Sequence, residues 1–334
     1  MTDRVRRIAR HAVTSCIAIF ALSLVATPGV AQEENRTGVA QEKQKSLPVL
    51  GGHHFLISAE VPDPFITSYI RNATGGGIAF NVQNLLTDSS GDTILNAEGN
   101  IAFLQLGFEY QGALADWVAL RVGFEGAARV GTSLESLLGN GVSAVYGYFL
   151  GGSFRLAQTE KIALTATADF TGNSITDVGI LALVQEAIDT GELPDSTEVV
   201  ETGTDKAAVG GARFAWAASR LIGVRLDGSI GIADLFRSSE DTKFSFLAGG
   251  AVGFNFHDTS NVPLGLLAFF KAANFSPGAS NIADAIYTGG VEVDYTGYDD
   301  LGLGLTFAWS RIPVANSDVT INTFNAAINL RFFF

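Results

Sequence analysis

Hydrophobic and polar positions alternate along most of the chain from about residue 76 onward. Within residues 117–131, Val118 and Leu120 fall on one face, while Arg121 and Gly123 fall on the other. A period of two is that of a β-strand. The alternating segments outlast the roughly five or six residues of an ordinary soluble strand. Their second face holds Arg, Asp and Gly, which suit a wet interior better than an apolar core. The pattern therefore predicts membrane-spanning strands whose bulky face meets lipid.

Twelve such strands are predicted, and an even number is typical of bacterial single-chain barrels. The expected fold is all-β, a transmembrane antiparallel up-and-down β-barrel of about 12 strands. Short and long connections alternate, which places both termini on the periplasmic side. The predicted strands are 76–86, 97–111, 117–131, 144–157, 161–171, 207–219, 221–233, 243–256, 263–273, 287–296, 300–311 and 319–334.

The first 31 residues have the layout of a cleavable export signal. Arginines between Arg4 and Arg10 are followed by an apolar stretch over 12–26 and by small residues ending at Ala31, before Gln32. The apolar stretch is at the short end of what a membrane helix requires. We expect a signal peptide over 1–31, with an uncleaved N-terminal anchor as the alternative.

Residues 32–50 are polar and unpatterned, and are expected to form a disordered periplasmic lead-in. Residues 51–75 are predicted to be a plug or a periplasmic segment preceding the barrel at 76–334. An extra hairpin there, making a 14-stranded barrel, is the alternative. The longest predicted loop, 172–206, contains a stretch of helical apolar spacing. It would fold inward as a constriction or stand outside as a lid.

Composition narrows the class of partner and of chemistry. The chain is 47% hydrophobic and 16% charged, and its single cysteine, Cys16, lies in the predicted signal. Thiolate metal sites and cysteine nucleophiles are therefore not expected. Residues 1–31 carry four Arg and one Asp, so their removal takes the net charge from −13 to −16. Such acidity argues against a nucleic-acid partner. It suits acidic outer loops that divalent cations bridge to lipopolysaccharide.

The C-terminus carries a resemblance to a known class. Ile328, Leu330, Phe332 and Phe334 share one face of a final alternating strand that ends on an aromatic residue. This resembles the terminal signature of Gram-negative outer-membrane β-barrel proteins, in no specific family. The resemblance implies an outer-membrane location, contact with outer-membrane lipid and lipopolysaccharide, and recognition of these four residues by the barrel-assembly machinery.

Catalytic and metal-binding residues are not expected. The three histidines after the signal are His53, His54 and His257. Adjacent residues on a strand point to opposite sides, so His53 and His54 cannot hold one metal ion together. His257 falls in a predicted turn on the periplasmic side, and no G-x-S-x-G motif is present. We expect no enzyme activity, no cofactor and no metal.

Charged residues on the second face of the strands are expected to line the lumen. Hairpin alignment places Arg213 opposite Asp227 and Glu109 near Arg121, and structural bracing is favoured over a substrate site for these pairs. The full lumen set is Glu109, Arg121, Glu125, Arg129, Arg155, Asp169, Arg213, Arg225, Asp227, Lys271, Glu292, Asp294 and Arg331.

Glu292 and Asp294 form a separate expectation within that set. The predicted pairing places them opposite Gly304 and Gly302, which offer no charge. Two acids beside two glycines would form an acidic and roomy strip of the pore wall.

These features together predict a channel. The expected function is passive passage of small solutes, filtered by lumen charges and by an inward-folded loop, with weak ion selectivity at most. One alternative is a conduit for hydrophobic compounds, similar to the FadL-type transporters, which have N-terminal plugs and 14 strands. The other is a non-conducting surface protein whose loops bind ligands.

Overall fold

The computed structural model describes residues 47–87, 93–132, 142–178, 200–233, 243–274, 285–313 and 320–334. Among these residues, no helix is long and apolar enough to cross a membrane. The predicted signal at 1–31 and most of the lead-in lie outside the described residues and stay predictions. So do residues 179–199, which hold most of the stretch expected to constrict or cover the pore.

Strands account for nearly all of the described chain, with one four-residue helix between two of them. In chain order the elements are β1 (Val49–Leu50), β2 (His53–His54), β3 (Tyr69–Thr87), β4 (Thr93–Ala115), β5 (Val118–Gly131), β6 (Val142–Gln158), β7 (Ile162–Val178), β8 (Val200–Ala217), β9 (Ile222–Ala233), β10 (Lys243–Asn255), α1 (His257–Ser260), β11 (Leu264–Ala273), β12 (Ile286–Tyr295), β13 (Leu301–Pro313) and β14 (Thr320–Phe333).

Strands β3 to β14 form a closed barrel in which each strand pairs with its neighbours in the sequence. The ring closes where β14 pairs antiparallel with β3, from Phe333 opposite Tyr69 to Asn322 opposite Phe80. Closure leaves no sheet edge unpaired, as a membrane interior requires. The prediction of a 12-stranded antiparallel up-and-down barrel is confirmed, and the 14-stranded alternative is wrong.

The bulky face of each strand points away from the barrel axis. On β5, Leu120, Val122 and Phe124 are 50%, 46% and 40% exposed, whereas the alternate residues Ala119 and Arg121 are 0% and 5% exposed. The same alternation recurs around the barrel. A soluble monomer rarely exposes so continuous an apolar surface. The outer face is thus of the kind that lipid covers.

Several strands extend beyond the predicted bounds. β3 begins at Tyr69 rather than at residue 76, so residues 69–75 belong to the barrel. β7 ends at Val178 and β8 begins at Val200, so both ends of the predicted 172–206 loop are strand. The reason is pairing, since these two strands stay in register up to Val178 opposite Val200. Pairing partners extend a strand beyond its own apolar pattern.

The barrel has two distinct ends. We call the end that holds Tyr69 and Phe333 the turn end, because its connections between strands are short, as at 116–117 and 159–161. The opposite end is the loop end.

The outward-facing Ile328, Leu330, Phe332 and Phe334 are 36% exposed or more. Phe334 stacks on Tyr110 at a ring-centroid distance of 6.1 Å beside the turn end.

Candidate functional site

The segment before the barrel, residues 47–68, fills the inside of the turn end, and we call it the plug. It begins with a tight hairpin in which β1 pairs with β2. The two turn residues, Gly51 and Gly52, have φ of 56° and 79°. A two-residue hairpin turn of this kind requires positive φ, which glycine adopts without strain. The hairpin turns the chain back so that the following residues enter the barrel.

Apolar plug side chains are buried against the inner wall. Leu56 and Val61, 3% and 0% exposed, belong to a cluster that includes the inward-facing Leu267 and Phe269. Ile57 packs with Tyr69 and Phe333, and a methyl group added at Gly302 would lie 2.6 Å from Ile57 Cγ2. Glycine on the wall therefore makes room for the plug. The plug side chains in the three buried clusters are Leu47, Leu50, Phe55, Leu56, Ile57, Val61 and Phe65.

Polar contacts hold the plug on several sides of the barrel. Gln111 on β4 donates from Nε2 to the carbonyl oxygens of Phe65 and Thr67, at 3.0 and 2.8 Å. The Thr165 hydroxyl on β7 donates to the carbonyl oxygen of Pro64 at 2.5 Å. A buried irregular segment needs such partners, because an unpaired backbone carbonyl is costly away from water. Wall side chains here replace the backbone pairing that strands receive.

Two ion pairs join plug acids to wall cations. Asp63 pairs with Arg331 on β14, and Glu60 pairs with Lys271 on β11. Burial alone would raise the pKa of each acid. The nearby cations outweigh burial, Lys271 and Arg71 at Glu60 and Arg331 and Arg225 at Asp63, so both pKa values lie below their ordinary values. Both plug acids are therefore ionised at neutral pH.

A second network braces the wall itself. Glu109 accepts from the Tyr69 hydroxyl at 2.8 Å and pairs with Arg71 at 2.8 Å. Arg121 lies 3.8 Å from Glu109 and pairs with Asp169 at 2.5 Å. The positive and negative side chains of this network balance one another on the wall, without a charge from the plug. The structure thus brings Glu109 near Arg121, as the hairpin alignment indicated.

The predicted pair of Arg213 and Asp227 lies directly cross-strand, with Nε and Oδ1 3.2 Å apart. Both side chains are about nine-tenths buried. A buried pair of this kind costs stability if one partner is removed.

The expectation of a roomy acidic strip at Glu292 and Asp294 is wrong. These side chains are 0% and 2% exposed, and the Asn329 amide donates to Glu292 Oε1 at 2.9 Å. Glu292 lies opposite Thr306, and Asp294 lies opposite Gly304. The turn between β12 and β13 spans 296–300, longer than predicted, and a longer turn shifts the register by two residues. An even shift keeps both acids on the inner face.

The remaining predicted lumen residues lie outside the plug contacts described above. Glu125, on the inner face of β5, is exposed, so solvent reaches the interior beside it. Arg129 on the same strand is half-buried, closer to the loop end. Arg155 is half-buried near the turn-end rim, where Asp116 is its nearby charge. The interior is thus packed at the plug and reached by solvent beside Glu125.

Arg225 stands apart from these networks. It is 2% exposed on β9, and within the described chain its Nη1 and Nη2 have no hydrogen-bond partner. The charges that act on it include Asp63 of the plug, Arg331, and the pair Glu292 and Asp294. A buried guanidinium with two unpaired nitrogens has unused capacity for an anionic partner.

Histidines contribute structure. His53 is 1% exposed, and its Nδ1 lies 2.9 Å from the carbonyl oxygen of Arg220. The carbonyl oxygen of His54 accepts from Asn255 Nδ2 at 3.1 Å. His257 lies in α1 within the turn between β10 and β11. No group of three or more His, Cys, Asp or Glu side chains in the described ranges could hold a metal ion.

Sequence reasoning missed the plug side of the site. Glu60 and Asp63 were not among the predicted lumen residues, and neither were Arg71 and Tyr69. A signal was available, because Tyr69 and Arg71 continue the alternation of β3 towards the N-terminus. The position of Asp63 against Arg331 carries no local signal, since 268 residues separate them.

Comparison with known proteins does not assign the chain to a family. No family model matches the chain, and no curated protein matches it either. Among solved structures, the translocator domain of the autotransporter NalP from Neisseria meningitidis has 8% identity and a TM-score of 0.45, covering 81% of this chain and 90% of that chain. A Pseudomonas aeruginosa FadL homologue has 9% identity and a TM-score of 0.44, with coverages of 85% and 96%. The KdgM porin has 6% identity and a TM-score of 0.39, with coverages of 79% and 99%. The strand pairing itself establishes the barrel.

Proposed function

We propose that this protein is an outer-membrane channel of a Gram-negative bacterium for passive passage of small solutes, and that the plug closes its turn end. The supporting observation is the division of the barrel wall into an apolar outer face and an inner face of charged and polar side chains. An inner wall carrying Arg121, Asp169 and Glu125 suits a path for hydrated solutes. The mechanism needs no turnover and no cofactor.

The turn end would face the periplasm, because short turns lie on that side in barrels of this class. The apolar belt would contact lipid, with lipopolysaccharide around the loop end. The outward-facing Ile328, Leu330, Phe332 and Phe334 would be the segment that the barrel-assembly machinery binds. Filtering by lumen charges follows from the same geometry. Constriction by a loop within 172–206 stays part of the proposal.

Passage requires displacement of the plug, and this makes the proposal testable in planar lipid bilayers. The double variant E60Q/D63N removes both plug ion pairs while keeping side-chain size. We expect wild-type protein to show small or rare conductance steps, and E60Q/D63N to show larger and more frequent ones. D116N is the matched control, because Asp116 is an exposed acid in the short turn at 116–117 and not part of the plug ion pairs, and it should behave like wild type.

The alternative functions predict different conductance recordings in this assay. A folded barrel that stays silent in wild type and in E60Q/D63N contradicts the channel and supports a non-conducting surface protein. A conduit for hydrophobic compounds is favoured by one observation, the apolar cluster of Leu56, Val61, Leu267 and Phe269 inside the barrel. It predicts saturable binding of a hydrophobic dye, measured as a rise in its fluorescence, in wild type and in E60Q/D63N without any conductance step.

A further inference from the structure

Two inner-wall cations depend on the plug for their ion pairs. In the described part of the chain, Lys271 pairs with Glu60 and Arg331 pairs with Asp63. The other paired lumen cations have carboxylate partners on the wall, as Arg121 has in Asp169 and Arg213 has in Asp227. Removing the plug would leave Lys271 and Arg331 facing the lumen without those partners. A wall built this way has two positive positions suited to carboxylates from outside the barrel.

Arg225 is a third inner-wall cation whose surroundings favour a carboxylate ligand. Its guanidinium is buried, two of its nitrogens lack hydrogen-bond partners in the described chain, and Asp63 is among the charges that act on it. Glu292 and Asp294 face Arg225 from β12 and partly offset its charge. An arginine fork binds carboxylates through two parallel hydrogen bonds. The Asp63 carboxylate pairs with Arg331 and also acts on Arg225, so one carboxylate at this position interacts with both arginines.

We propose that Lys271, Arg225 and Arg331 form a binding site for a solute with two carboxylates, and that the plug occupies it with Glu60 and Asp63 as stand-ins. The two plug acids lie three residues apart, so their Cα atoms are at most about 11 Å from each other. The ligand of this class is a flexible dicarboxylate whose two carboxylates can approach the two wall positions together. The acidic solute would compete with the plug for the wall. This inference rests on the proposed channel function, since it names the class of solute that passes.

Calorimetric titration of the refolded protein in detergent micelles with adipate tests the site. Adipamide, which has the same carbon skeleton without charge, is the control ligand. Wild-type protein should bind adipate weakly, because the plug acids compete. E60Q/D63N should bind it at least tenfold more tightly, and adipamide should not bind either protein. Equal adipate affinity in the two proteins, or adipamide binding as well as adipate, would overturn the proposal.

Wall variants in the E60Q/D63N background locate the site. K271Q should abolish the gain in adipate affinity, whereas R129Q, at a lumen arginine outside the site, should leave the gain unchanged. Equal losses in K271Q and R129Q would point to a general field of positive charge and overturn the assignment. The single variant E60Q is available should the double variant fail to fold. Its ion pair is the more exposed of the two, with side chains 27% and 16% exposed.

Failure of this site and failure of the channel are distinguishable, because calorimetry requires no passage. Adipate binding with the expected variant pattern, in a barrel that never conducts, would retain the site and refute the channel. Conductance steps that respond to E60Q/D63N, without any adipate binding, would retain the channel and refute the dicarboxylate site.

Discussion

The lipid-facing role of the outer belt can be tested at Leu305. This residue lies within β13 and is 41% exposed, and its cross-strand partners Val293 and Ile328 are 40% and 56% exposed. All three lie on the outer face. Leu305→Arg would place a charge among these apolar side chains.

The expected cost follows from depth in the bilayer. An arginine on the lipid face costs about 2–4 kcal/mol at the midplane and about 0–1 kcal/mol near the interface. Leu305→Arg should therefore lower the folding equilibrium constant about 30- to 700-fold, at about 1.4 kcal/mol for each factor of ten. Leu301→Arg, at the first residue of β13, should cost no more than about 1 kcal/mol.

The assay is reversible urea unfolding of the barrel in lipid vesicles, followed by tryptophan fluorescence, for wild type and both variants. The measured quantity is the difference in the free energy of unfolding between Leu305→Arg and Leu301→Arg. Equal stability of all three proteins would refute the membrane assignment, since water around Leu305 would accept an arginine without cost. A stable fold without detergent or lipid would refute it as well.

Three further predictions concern the interior. Arg213→Ala should destabilise the barrel by about 3–5 kcal/mol in urea unfolding, because Asp227 would stay buried without its partner, while R213M/D227L should stay near wild type. Gly302→Val should push against Ile57 and loosen the plug, so a cysteine introduced at the neighbouring buried residue Ser58 should react faster with a water-soluble maleimide. Gly228→Val, at a glycine with open space, is its control and should leave the rate unchanged. The pKa of each plug acid is lowered from its ordinary value, which is 4.5 for Glu60 and 3.8 for Asp63. The anchoring is therefore fully present above pH 4.5 and is lost as pH falls through the lowered pKa values. Conductance from plug release should be absent above pH 4.5, and an onset above that pH would contradict this.

The alternation of side chains determined most of the barrel without any tertiary information. All twelve barrel strands and the inward placement of residues such as Arg121 and Arg213 follow from a period of two, because side chains of a strand alternate between its faces. The pairing of Arg213 with Asp227 could also be predicted, since a short turn sets the register of its own hairpin. The error at Glu292 came from the same source, because the turn after β12 is longer than its residues indicate.

Only the tertiary structure decided what fills the barrel. Asp63 and Arg331 are 268 residues apart, and Glu60 and Lys271 are 211 apart, so no local pattern relates them. Ring closure between β14 and β3 brings these residues into one interior, where burial makes each charge require a partner. A strand's own residues determine which face is apolar, but contact across the enclosed space determines which charges meet.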